Sequence, residues 1–151
     1  LGSINTAQHP HTFLYRNWEC VSTGNPLAHA LLQGYVDAGG RKHPNYTYDS
    51  LRTLCGLYED LGLKNPAAIV DCSHNNSRED FREQPRIAAS VLDSCSESSE
   101  IAQLVKGFMV ESYLEEGCQP VGGGVYGRSI TDPCLGWDDT ERLVLDIAER
   151  L

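Results

Sequence analysis

Apolar positions along the chain recur with two different periods, and the alternation between them sets an element order. Thr12 to Tyr15 (TFLY) is a short aromatic and β-branched run. Glu19 to Thr23 and Ala28 to Tyr35 read as two further strands around the turn Gly24-Asn25-Pro26, so a hairpin appended to a strand is expected here. From Asp49 to Leu61 the apolar positions Leu51, Leu54, Cys55, Tyr58 and Leu61 follow i, i+3, i+4, i+7 and i+10, one face of a helix that should end near Gly62. Ala67 to Val70 (AAIV) is continuously apolar and follows Pro66, which suits a strand covered on both faces and hence a parallel sheet. Pro85 can open a second helix whose buried stripe is Ala88, Val91, Leu92 and Cys95. Val105 to Val110 (VKGFMV) repeats the buried-strand pattern. Asp138 to Leu151 reads as a final helix, with Asp138 and Glu141 as a D-x-x-E capping pair and Leu143, Val144, Ile147 and Leu151 facing inward. Strand, helix, strand, helix, strand, helix is an α/β order.

Composition adds what the periodicity cannot. The 151 residues suit one domain, residues 1–151, with no second domain, no repeat and no low-complexity tract. The breaks are short Gly/Pro clusters at Asp37 to Pro44 and Val121 to Gly127. Twelve Lys and Arg stand against 21 Asp and Glu, a formal net charge of −9, and the basic residues form no stripe, so neither nucleic acid nor an anionic membrane is an expected partner. No apolar run approaches the roughly 18 to 20 residues that cross a bilayer, and Leu1 to Pro10 has neither a basic n-region nor an apolar h-region, so a soluble, cytoplasmic chain is expected. Six cysteines are scattered singly without a CxxC pair, which favours reduced thiols over a disulfide framework or a zinc knuckle. His9, His11, His29 and His43 are dispersed and expected to be structural or exposed, and Trp18 and Trp137 are expected to anchor packing.

Three side chains fall where an α/β fold gathers its chemistry, just past the carboxyl ends of strands. His74 follows AAIVDC, Glu111 follows VKGFMV, and Asp132 lies in GRSITDPC before the last helix. Period-two reasoning puts Val70, Cys72 and His74 on one face, and Gly107, Met109 and Glu111 likewise, so His74 and Glu111 can converge. One imidazole and two carboxylates suit Mn²⁺, Fe²⁺, Co²⁺ or Zn²⁺, and an ion held by them could polarise a carbonyl. Spacing alone leaves open that His74 is a hydrogen-bonded histidine and that the carboxylates cap loops.

The wording of several stretches goes further. AAIVDCSHNNS (Ala67 to Ser77), FMVESYLEEGCQP (Phe108 to Pro120) and GRSITDPCLGWDDT (Gly127 to Thr140) resemble type I 3-deoxy-D-arabino-heptulosonate 7-phosphate (DAHP) synthase, the first enzyme of the shikimate pathway leading to aromatic amino acids. PHTFL (Pro10 to Leu14), GNPLAHALLQGY (Gly24 to Tyr35) and PNY (Pro44 to Tyr46) support the resemblance, which spans nearly the whole chain. It implies a transferase with a (β/α)8 barrel fold that condenses phosphoenolpyruvate with erythrose 4-phosphate and uses a divalent metal. The family's metal histidine, glutamate and aspartate fall on His74, Glu111 and Asp132. In the implied mechanism the metal polarises the aldehyde, C3 of phosphoenolpyruvate attacks it, and water captures the cation at C2 before phosphate leaves.

Two departures qualify what is carried over. A barrel of eight βα units needs about 240 residues, so the chain is expected to be the C-terminal part, about three βα units plus an inserted β-hairpin, starting in the helix before the family's sixth strand. The family's fourth ligand, a cysteine of its first strand, and most phosphate-binding Lys and Arg residues belong to the other part; Cys72 is expected to be a packing thiol. The second departure is Gln33, a candidate substrate-binding position where the family usually has an arginine for the phosphate of phosphoenolpyruvate. Loss of such a charge-assisted bond costs on the order of 1.5 to 3 kcal/mol. The segment Val36 to His43 is also longer than the family's shortest form of this turn. Two function classes follow: part of an active synthase, completed by an N-terminal half or a homo-oligomer, or a truncated, non-catalytic relative that binds metal or associates with a full-length synthase. The isolated 151 residues are expected to be inactive.

Overall fold

A computed structural model describes residues 1–151. The elements in chain order are α1 (Gly2–Gln8), β1 (Thr12–Tyr15), β2 (Trp18–Val21), β3 (Ala30–Leu32), β4 (Tyr35–Val36), β5 (Lys42–His43), α2 (Tyr48–Asp60), β6 (Ala68–Asp71), α3 (His74–Ser77), α4 (Gln84–Glu97), α5 (Ser99–Leu104), β7 (Val105–Met109), β8 (Glu115–Cys118), β9 (Arg128–Ser129) and α6 (Trp137–Arg150). The organising unit is a parallel sheet of order β3-β6-β7, with Ala30 opposite Ala68 and Val70 opposite Phe108. The α/β expectation and the parallel sheet are both met.

One face of that sheet is covered. Leu32, Val70 and Phe108 lie in register on it and meet Leu51 of α2, Ile87, Ala88 and Val91 of α4, Ile101 of α5 and Leu143 of α6 in the larger core cluster. A second cluster, with Leu54, Tyr58, Leu63, Ala68 and Leu104, closes the end where the strands begin. α2 forms because Thr47 caps it, its side chain accepting from the Ser50 N–H at 3.4 Å, and because Leu51, Leu54 and Tyr58 fall on one buried face. Gly62, at φ +57, ends that turn. α4 opens at Gln84, one residue before Pro85, and buries the expected Ala88, Val91 and Leu92 stripe, with Cys95 half-buried. No helix is long and apolar enough to cross a membrane.

Several expectations are corrected. The hairpin joins β1 to β2, not Glu19–Thr23 to Ala28–Tyr35, because Arg16 and Asn17 both take left-handed φ values (48 and 66) and turn the chain between Tyr15 and Trp18. Ala28 to Tyr35 supplies instead β3, a sheet strand, and the start of a second small hairpin, β4 with β5. Leu61 is exposed beyond the end of α2, although it continues the apolar spacing. α5 is an extra helix, too short to leave a periodic signature. α6 starts at Trp137 with Gly136 as its cap and no side-chain cap, so Asp138 lies in the first turn and forms no capping pair with Glu141. Of its expected inward stripe Leu143 and Ile147 reach the core, whereas Val144 and Leu151 are exposed. Trp18 and Trp137 are 75% and 56% exposed and anchor nothing.

Candidate metal centre

Three loops converge beyond the carboxyl ends of the sheet. β6 ends at Asp71, and the next residues turn sharply through Ser73 into α3, with His74 at φ +48. Strand periodicity therefore stops before His74. Val70 and Cys72 point into the helix-side core and are fully buried, which corrects the expectation that they share a face with His74. Glu111 follows β7, and Asp132 follows β9 in the loop before α6.

His74, Glu111 and Asp132 nevertheless meet. One ligand atom from each lies within 4.8 Å of the other two, and His74 Nε2 is 3.7 Å from Glu111 Oε1. Two atoms sharing a divalent ion at about 2.2 Å can be at most about 4.4 Å apart. His74 Nε2 and Glu111 Oε1 lie inside that limit, and an imidazole with two carboxylates is a donor set that suits such an ion. Ser73, Glu79 and Pro133 complete the lining of a cavity of about 250 Å³ around them.

Neighbours that spacing did not reveal hold these side chains. Asp71, 1% exposed, accepts the Ser73 N–H on Oδ1 at 2.8 Å and contacts His74 Nδ1 through Oδ2 at 2.8 Å, leaving Nε2 turned toward Glu111. A carboxylate on one ring nitrogen favours the tautomer whose other nitrogen can ligate a metal. The Ser73 hydroxyl donates to Glu111 Oε2 at 2.7 Å. Buried Asn76 donates to the carbonyls of Leu32 and Asp71 at 2.9 and 2.8 Å and accepts the Asn45 N–H at 2.9 Å, tying the ends of β3 and β6 to the segment entering α2. The only sequence sign of these roles is proximity to the strand ends.

Gln33 behaves differently. It sits exposed just after β3 and is not among the cavity-lining residues. Glu79, at φ +69, lines the cavity and is ion-paired with Lys42 of β5. The six cysteines are all free; Cys72 is fully buried, as a packing thiol would be, whereas Cys118 is exposed.

A parallel sheet with an imidazole and two carboxylates gathered beyond its strand ends has the donor groups of a candidate metal centre on an α/β fold. Residues 3–145 match the family model of the DAHP synthetase I family, and the chain belongs to that family. It is similar to a Trp-sensitive phospho-2-dehydro-3-deoxyheptonate aldolase of Escherichia coli O6:H1, 36% identical over 97% of this chain and 41% of the relative. A phospho-2-dehydro-3-deoxyheptonate aldolase of Haemophilus influenzae is also 36% identical, over 99% of this chain and 41% of its own length. The solved structure of the phospho-2-dehydro-3-deoxyheptonate aldolase of Francisella tularensis SCHU S4 superimposes with a TM-score of 0.83 at 26% identity, over 99% of this chain and 43% of that one. The chain spans about two fifths of the length of the curated relatives it matches.

Proposed function

We propose that residues 1–151 form a single unit, the C-terminal portion of a (β/α)8 barrel, that contributes three metal ligands to a DAHP synthase condensing phosphoenolpyruvate with erythrose 4-phosphate. The observation that carries this reading is the convergence of His74, Glu111 and Asp132 within a chain of this family. A divalent ion bound there, Mn²⁺, Fe²⁺, Co²⁺ or Zn²⁺, would polarise the aldehyde carbonyl of erythrose 4-phosphate toward attack by C3 of phosphoenolpyruvate. The chain's own part is positional. Asp71 keeps His74 Nε2 turned to the centre, Ser73 holds one Glu111 oxygen and leaves the other toward His74, and Asp132 closes the third side.

The cavity lining contains no Lys or Arg, and two phosphorylated substrates need several cationic groups for binding and alignment. The active enzyme therefore requires basic side chains from a complementary N-terminal half or a second copy. Gln33, neutral where the family usually has an arginine, supports the rival reading, a metal-binding relative without catalysis.

Calorimetric titration with Mn²⁺ or Co²⁺ tests the ligand assignment: His74→Ala or Glu111→Ala is expected to abolish most of the affinity, and unchanged binding in both would remove them from the ligand set. Phosphate release from phosphoenolpyruvate with erythrose 4-phosphate separates the two readings. The 151-residue chain alone is expected to show no turnover, and turnover is expected once the complementary half is supplied. Its absence in the presence of that half favours the non-catalytic relative.

A further inference from the structure

Two buried glutamines make the same kind of clamp at different places. Gln8, in α1, accepts the Lys64 N–H on Oε1 at 2.8 Å, and its Nε2 donates to the Lys64 carbonyl at 2.8 Å and to the Ala28 carbonyl at 3.0 Å. Gln84, fully buried at the start of α4, accepts the Glu111 N–H on Oε1 at 2.8 Å and donates from Nε2 to the Glu111 carbonyl at 3.0 Å. Each side-chain amide completes a donor and acceptor pair on one backbone residue, as a neighbouring strand would.

Location separates them. Gln8 pins the approach to β6, at the end of the strand opposite to the one that carries the candidate ligands. Gln84 acts two residues beyond β7, where the sheet no longer holds the main chain, and the residue it holds is Glu111. The same Glu111 carbonyl accepts the Leu135 N–H at 3.0 Å, which links the clamp to the loop carrying Asp132. With its backbone held by Gln84 and one carboxylate oxygen held by Ser73, Glu111 keeps its other oxygen 3.7 Å from His74 Nε2.

We propose that Gln84 is a positioning residue of the metal centre, setting the main-chain placement of Glu111 and, through it, the approach of Asp132. The proposal rests on the reading that His74, Glu111 and Asp132 hold a divalent ion. The side-chain amide offers the donor and the acceptor together: an ionised glutamate would set a second acceptor against the Glu111 carbonyl, and methionine would leave the Glu111 N–H without this partner.

The test uses the purified protein, with Mn²⁺ affinity read by calorimetry and the coordination sphere read by the visible spectrum of bound Co²⁺. Gln84→Met is expected to weaken Mn²⁺ binding about 10- to 100-fold, as loss of groups that orient metal ligands does, and to change the Co²⁺ bands. Gln8→Met is expected to lower the thermal midpoint while leaving Mn²⁺ affinity and the Co²⁺ bands unchanged. Gln84→Glu, which keeps the acceptor for the Glu111 N–H, provides a second variant should methionine prevent folding, and its affinity is expected to fall between wild type and Gln84→Met. Wild-type affinity and spectrum in a folded Gln84 variant, or equal loss in the Gln8 and Gln84 variants, would overturn the positioning role. Wild-type protein without saturable Mn²⁺ binding would instead overturn the metal reading itself, and this proposal with it.

Discussion

Cys72 continues the line of β6, donates its N–H to the Met109 carbonyl at 2.9 Å, and turns its thiol into the helix-side core. Burial first, and the neighbouring Asp71 carboxylate second, push that thiol from 9.0 up to about 12. The folded chain keeps a proton that the unfolded chain releases near pH 9, so stability present below that pH is lost as pH rises toward 12, at about 1.4 kcal/mol per pH unit. Cys55, Cys95 and Cys134 are also raised by burial, so the effect is read as a difference. Cys72→Ala is expected to be less stable near neutral pH but to lose stability less steeply above about pH 9, by urea unfolding at several pH values. At this scale His74, Glu111 and Asp132 were legible because a residue just past a parallel strand reaches the site whatever the exact turn. Asp71, Ser73 and Gln84 were not, since their importance lies in which atom they face, and Gln84 faces a residue 27 positions away.

Glycine 34 shows how one turn links elements around the site. It joins β3 to the β4–β5 hairpin at φ +75, and its N–H donates to the Asn45 side chain at 2.8 Å. A Cβ there would lie 2.7 Å from the Asn75 Cβ and 2.8 Å from the His43 carbonyl. Gly34→Ala therefore forces a left-handed alanine against α3, next to His74. It is expected to cost about 1 to 3 kcal/mol, measured by urea unfolding, and to weaken Mn²⁺ binding because the crowded neighbour is Asn75. Elements with a sustained 3.6-residue stripe, α2 and α4, could be read from the sequence. The first hairpin could not, because Arg16 and Asn17 adopt its turn without glycine, while the more obvious Gly24-Asn25-Pro26 lies outside any hairpin. The six residues of α5 are too few for a periodic signal.

Across the whole molecule the sheet is covered on one face and bare on much of the other. Register places Leu31, Ile69 and Gly107 side by side opposite the helices, and Leu31 and Met109 on that face are 45% and 41% exposed. The edges that lack a further neighbour are β3 and β7, whereas β1 belongs to a separate hairpin, and Val70 and Cys72 face the helices and are buried. Unpaired main-chain groups on two parallel edges beside an apolar face favour added strands, and a sheet of this kind is normally covered on both sides. The 151-residue chain on its own is therefore expected to self-associate at micromolar concentration, and to stop doing so when a complementary N-terminal half is supplied. Sedimentation velocity with and without that half measures both arms. Leu31→Lys together with Met109→Lys should reduce self-association, because two cations would then have to be buried against that face in any complex formed through it. A monodisperse monomer with cooperative unfolding, in the absence of any partner, would show that the bare face and both edges are stable in water and would rule out the barrel-completion reading.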